Sequence, residues 1–250
     1  MRIGNRKFSP RPWPSIATII LVLAFISLGF WQLDRAEQKR TLHQSYILNQ
    51  SGEPLSLNRY NVSKKNEKNI LWRKVFASGK FDENIQILLD NQVHDNQAGY
   101  YVFTPFLLKN KNIRYLVNRG WVPAGKDRNE IPPLRLESGP LLITGSIKYP
   151  QGTGILLGKN VPEKIQQGIY RVNKIDLFEL GKLIDTPLMP FVIRLDPESK
   201  GGYVRQWKLP GSGETMHLGY AFQWFVLAAL VFIIFVVVNL EKENKNESSE

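Results

Sequence analysis

Two long runs without a charge limit what this chain can become: residues 16–33 read IATIILVLAFISLGFWQL and residues 219–240 read GYAFQWFVLAALVFIIFVVVNL. A hydrocarbon core near 30 Å takes about 20 apolar residues as a helix, and in that medium every backbone group must be bonded within its own segment. Both runs are expected to span a membrane, so the chain is tethered near each end. The first run is longer than the apolar stretch of a cleaved signal peptide. Bulky Phe30, Trp31 and Leu33 stand where a small-residue cleavage site would fall, so this helix is expected to be retained.

Charge sets the expected orientation. The first tail carries Arg2, Arg6, Lys7 and Arg11 and no acid, and the positive-inside rule keeps it inside. The second span returns the last residues to the same side. The expected division is an inner tail (1–14), a first span (15–33), an outer domain (34–217), a second span (218–240) and an inner tail (241–250). Trp31, Tyr220 and Trp224 then sit at outer helix ends and Trp13 at an inner one, where aromatic belts form. The net charge of +11 is scattered through the middle of the chain. That suits anionic lipid head groups and lacks the basic stripe interleaved with aromatics that nucleic acid requires. The absence of cysteine excludes disulfides, thiolate metal sites and a Cys nucleophile. His43, His94 and His217 are too few for a four-ligand site of His and Cys. Tails this short hold no signalling domain, and two spans make no ordinary transporter, so the work is expected at the outer face. No Arg-rich, Ser-rich transit peptide precedes the first span, which favours a bacterial inner membrane with the large domain periplasmic.

Residues 34–50 continue as a polar helical stalk, and 58–69 read as a polar loop. Strand patterns then recur at 72–79, 84–90, 101–108, 112–121, 140–149 and 190–195. Pro105 favours an edge strand or a bulge, and Asn110-Lys111 suits a hairpin turn. Residues 172–184 have helical spacing, weakened by Gly181. Residues 132–133, 152–158 and 201–202 read as loops. The expected fold class is an α+β membrane protein: two transmembrane helices flanking a mostly antiparallel β domain, able to close into a small barrel, with one or two helices.

No catalytic signature is present: no G-x-S-x-G, no H-E-x-x-H and no P-loop, and the chain is not expected to be an enzyme. Asp82/Glu83 and Asp90/Asp95 read as solvated turn acids. His94, in NQVHDNQ, reads as a surface residue. His217, at the mouth of the second span, is different. His217, Tyr220, Ala221, Trp224 and Ala228 share one helical face. An imidazole beside a flat aromatic wall offers an axial ligand to a haem; equally, His217 could mark the polar helix boundary, with Tyr220 and Trp224 as belt residues. Trp31 and Arg35 lie on one face of the first helix, where Arg35 could snorkel to head groups or pair with a carboxylate such as a haem propionate.

Four segments together resemble one family. Leu28-Gly-Phe-Trp31-Gln32-Leu-Asp-Arg35, Gly99-Tyr100 with Thr104-Pro105-Phe106, Asn118-Arg119-Gly120-Trp121-Val122-Pro123, and His217-Leu-x-Tyr220-Ala-x-x-Trp224-Phe225 are similar, in order, to motifs of the Surfeit locus protein 1 family. Two positions depart from it: Gln38 where the family often has Trp, and Thr215 where Asn is common. The resemblance implies an assembly factor and chaperone for cytochrome c oxidase, a step in respiratory chain biogenesis. It implies transient haem a binding with His217 on the iron, and help in haem delivery to, or stabilisation in, subunit I. Tyr220, Trp224, Trp31 and Arg35 are the candidate pocket, with the porphyrin sandwiched between the two spans. Subunit I is the implied partner and the haem a-synthesising enzyme a second candidate. In the third motif, Gly120 and Pro123 read as turn residues. Two alternatives stay open: a protein-only chaperone of subunit I, and a membrane-tethered outer enzyme with an unrecognised site.

Overall fold

The computed structural model describes residues 2–3, 6–60, 70–125, 127, 130–135, 137–150 and 161–242. The glycine loop expected at 152–158 and most of the loop at 58–69 lie outside the described residues. In chain order the elements are β1 (Arg2–Ile3), β2 (Arg6–Phe8), α1 (Pro12–Ser51), β3 (Leu55–Ser56), β4 (Lys74–Phe81), β5 (Gln86–His94), β6 (Gln97–Leu108), β7 (Arg114–Pro123), β8 (Leu141–Lys148), β9 (Glu163–Gln166), β10 (Ile169–Val172), α2 (Leu177–Leu183), β11 (Leu188–Leu195), α3 (Glu214–Val238) and β12 (Leu240–Lys242). They form two compact units, one of Met1–Ser45 with Leu209–Glu250 and one of Tyr46–Lys208.

The first unit is a helix pair, with β1, β2 and β12 in a small sheet. Pro12 and Pro14 open α1, where missing N–H donors cost nothing, and Gly52 and Pro54 follow its last residue. Helix α3 begins at Glu214 behind Gly213, whose φ is +101°, and closes at Asn239. Only 6% of the apolar stretch of α1 and 11% of that of α3 is buried. Helices this long, with their apolar surface left bare by the protein, are surfaces for lipid, and the chain is a membrane protein. Small residues line the seam between them: Gly29 and Ala36 of α1, Ala221 and Ala228 of α3. A Cβ on Gly29 would lie 2.6 Å from the Phe225 ring, so glycine is what permits the close approach. Phe25 packs on Trp224 at 5.6 Å, and Phe30 meets Phe225 edge-on at 5.5 Å. Beyond the apolar stretch, Arg40 pairs with Glu214 at 2.8 Å.

The second unit is a closed five-stranded barrel in the order β4-β8-β11-β7-β6, with β6 returning to β4. All its pairings are antiparallel except β11 with β7. Alternation turns Val75, Ala77 and Phe81 of β4, Ile143 and Ile147 of β8, and Phe191, Ile193 and Leu195 of β11 into one interior cluster with Phe106, Tyr115 and Val117. Burial pushes the Tyr115 phenol up to about 12. On the outside, β5 extends the sheet from β6, followed by β10 and β9. Helix α2 packs there, with Leu180 buried against Ile87, Phe103, Leu116 and Val192. The α+β, largely antiparallel, barrel-forming expectation holds.

Several local readings are corrected. Val172 ends strand β10 rather than opening a helix. The helix starts five residues later because the Asp176 carboxylate accepts from the N–H of Phe178 and Glu179, an N-cap. Pro105 is not on an outer edge: β7 pairs with it on one side, and on the other it falls in the gap between the β5 and β4 pairings. Its carbonyl accepts from the Asp82 N–H, and in a strand the N–H and C=O of one residue point the same way. The missing donor therefore faces the β4–β5 turn, where β6 passes from pairing with β5 (Phe103 with Ile87) to pairing with β4 (Phe106 with Phe81). Gly120 is not in a turn but within β7, with φ +114°, at a register shift that sets an extra residue against β6. His94 is a strand residue whose ring lies 5.2 Å from that of Trp121.

Phe106→Ala should cost about 3–5 kcal/mol, the usual penalty for a cavity at a filled aromatic site. Leu142→Ala, on the same barrel but 58% exposed, should stay within about 0.5 kcal/mol. Unfolding of the full chain in mild detergent measures both, and equal losses would contradict the inward and outward assignment. For the helix pair, Gly29→Leu should push α3 off its seam. A spin-label pair on the two helices should then read a longer distance than in the wild type.

Candidate functional site

Helix α3 carries His217 in its first turn, with the backbone N–H on the Gly213 carbonyl at 3.3 Å. One ring nitrogen, Nδ1, lies 2.8 Å from Oε1 of Gln32 on α1. An amide oxygen accepts, so the ring proton belongs on Nδ1 and the lone pair on Nε2. Hydrogen bonding of one imidazole nitrogen while the other keeps its lone pair is how proteins orient a metal-binding histidine. Gln32 is itself buried beside Gly29 and Ala36. A buried polar residue at the end of an apolar span is costly unless bonded, and the imidazole provides that bond.

The other candidates divide. Trp224 lies on the seam with Phe25, on the same side of α3 as Ala221 and Ala228. Tyr220 is 46% exposed, on the flank of that helix. Trp31 is half exposed and lies beneath the Arg35 guanidinium, 5.7 Å from ring centre to Cζ. Arg35 also donates to Gln38 Oε1 at 2.9 Å, and Gln38 donates to Asp34. Among the described residues no hydrogen bond or ring contact joins Trp31 or Arg35 to His217. Thr215 is exposed. The helices touch directly at Gly29 and Phe225, so there is no slot for a flat macrocycle between them at that level. The sandwich expected between the spans therefore excludes the level of Gly29. The residue that the sequence reading passed over is Gln32. Its signal was an uncharged polar side chain inside an otherwise apolar run.

In the barrel unit the third motif builds a fixed centre. Arg119 is 1% exposed, and burial pushes its pKa down. Its guanidinium lies 5.0 Å from the Phe81 ring centre and 4.9 Å from that of Tyr203. It donates to the carbonyls of Gly201 and Arg135, and to Gln86 and Thr104. A cleft of about 450 Å³ opens beside it between Trp121, Pro123, Pro133 and Glu137. Gly120 permits the close approach of the Val204 carbonyl, 2.6 Å from where a Cβ would stand. Among the described residues no three acids or histidines converge as a metal site.

Comparison with known proteins agrees with this layout. The SURF1 family pattern matches residues 19–229, from inside the first span to inside the second. A SURF1-like protein of Rickettsia bellii is 28% identical over 228 residues, 88% of each chain. One from Rickettsia prowazekii is 30% identical over 89% of this chain and 87% of its own. Surfeit locus protein 1 of Xenopus tropicalis is 27% identical over 84% of this chain and 71% of its own. With the match running from within one membrane helix through the barrel into the other, the chain belongs to the SURF1 family.

Proposed function

We propose that this protein is a non-catalytic assembly factor for a haem-copper cytochrome c oxidase, assisting haem a delivery to, or stabilisation in, subunit I. Family membership supports the oxidase assignment. The observation that carries the haem assignment is the His217–Gln32 pair, an imidazole oriented through Nδ1 with Nε2 left to ligate iron. His217 would hold the cargo. Trp224 and the exposed ring of Tyr220 would offer apolar surface nearby, and Arg35, already on Trp31, a charge for a propionate. Basic residues ahead of α1 support an inner tail and a barrel on the periplasmic side of a bacterial inner membrane.

A second reading has its own support. The Phe225 ring fills the space over Gly29, so at that level the helices pack directly on each other. On that reading the chain chaperones subunit I as protein alone, with the haem a-synthesising enzyme as neighbour and His217 serving as a polar lock between the spans.

The two separate in one preparation. The protein is purified in mild detergent from cells making haem a, and its reduced spectrum is recorded. A haem a band is expected in the wild type and absent from His217→Ala. Gln32→Leu should keep the helix pair and lose roughly tenfold or more in haem occupancy, the usual scale for removing a residue that orients a ligand. A wild-type protein that stays colourless with haem a available would leave the protein-only chaperone.

A further inference from the structure

Besides Arg119 the barrel unit buries Arg171, which pairs with Glu163 at 2.8 Å, and Arg194, whose surroundings differ from both. Arg194 points outward from β11, between the inward-facing Ile193 and Leu195. It is 7% exposed, and its Cζ lies 5.8 Å from the ring centre of Trp72 and 5.2 Å from that of Trp207. Lys148, at the end of the neighbouring β8, places its ammonium 5.4 Å from the same Trp72 ring. Tyr46 meets Trp72 edge-on at 5.7 Å, and Tyr101 lies 5.6 Å from Trp207. Two cations therefore share an aromatic box.

Two donors in that box are unspent. Nε of Arg194 and Nε1 of Trp72 are buried and make no hydrogen bond among the described residues. Trp207, by contrast, spends its N–H on the Leu195 carbonyl at 3.0 Å. A buried donor without an acceptor costs about 1–3 kcal/mol, and such groups in a native fold call for an occupant. Trp72 is also held at φ +68°, an outlier for a bulky residue. Its N–H is bonded to Ile147 and its carbonyl to Gln50. Arg194 is hydrogen-bonded with the Tyr46 hydroxyl and feels the charge of Asp196, whose carboxylate is itself hydrogen-bonded with Thr144. Burial and Arg194 together press the Lys148 ammonium down to about 8.

We infer that Arg194, Trp72 and Lys148 form an oxyanion site for a phosphate group, walled by Trp72 and Trp207. Guanidinium and indole N–H supply two hydrogen bonds, the ammonium supplies charge, and the rings exclude water. Tyr46, near the end of α1, and Trp207 lie at the two ends of the barrel unit's chain; a lipid head group and free phosphate offer the same oxyanion. This site does not rest on the haem reading.

The full chain is placed in nanodiscs of phosphatidylcholine and titrated with inorganic phosphate at constant ionic strength while tryptophan emission is followed. A saturable change is expected, absent in Arg194→Gln and with about tenfold weaker affinity in Trp72→Phe, the scale of one lost hydrogen bond to a charged group. If discs containing phosphatidylglycerol show the change before phosphate is added, the source is lipid; if they titrate as the neutral discs do, it is free phosphate. No saturable change in either disc, or a change that Arg194→Gln retains, overturns the site. Should Arg194→Gln fail to fold, an unaltered affinity in Trp72→Phe does so instead.

Discussion

Where Phe81 of β4 comes into register with Phe106 of β6, the sheet meets itself and five strands lose their free edges. The two rings sit edge to face at 5.0 Å inside the closure. The rest of the unit follows from how little of β6 this pairing uses. Only Phe106–Leu108 face β4, and Gln97–Phe103 are left to β5. On β5 grow β10 and β9, and over that extension lies α2. A shorter β6 would close a barrel and have nothing on which to build the outer layer. Pro105 stands at the hand-over, where the ladder changes partner and one donor is dispensable.

Of the three buried arginines, Arg119 and Arg194 show what each kind of environment is for. Arg119 has its donors taken by carbonyl, amide and hydroxyl oxygens and its faces covered by Phe81 and Tyr203. It ties the segments at 135 and 201–203 to the barrel, and the bulge at Gly120 is the local irregularity beside it. A fully bonded guanidinium of that sort fixes a structure. Arg194 is just as deep, yet one donor is idle and a second cation is its neighbour. Packing alone would have favoured an apolar side chain there. Equal burial with unequal satisfaction is what separates a residue kept for the fold from one kept for a ligand.

How far the sequence could be read depended on segment length. The six strands with clear alternation were visible because each places several apolar residues on one face, and β4 to β8 with β11 all appear where the pattern fell. The hairpin of β9 and β10 was hidden. Each strand has four residues, and Glu163, Lys164 and Arg171 break the alternation, while the turn signal at Gly168, with φ +77°, lies within an unremarkable polar run. Gly120 looked like a turn residue because glycine marks both turns and bulges, and only cross-strand register distinguishes them. Of the candidate site, helical spacing found the shared face of His217, Ala221 and Trp224. It could not find Gln32, because helical periodicity orders residues along one helix and is silent about which face of another it meets.

That interhelical bond also bears on how a cargo would be released. Of the histidines in the helix-pair unit, His43 has its Nδ1 at 3.2 Å from the Pro210 carbonyl, and His217 has its Nδ1 on Gln32. On the haem reading, His217 would be the residue that holds the iron. A haem bound through one residue of the carrier would have one protein bond to give up on delivery. Gln32 then has a double role. It would fix the tautomer able to ligate a metal, and it is the acceptor that keeps the His217 ring satisfied at the apolar seam without a cargo.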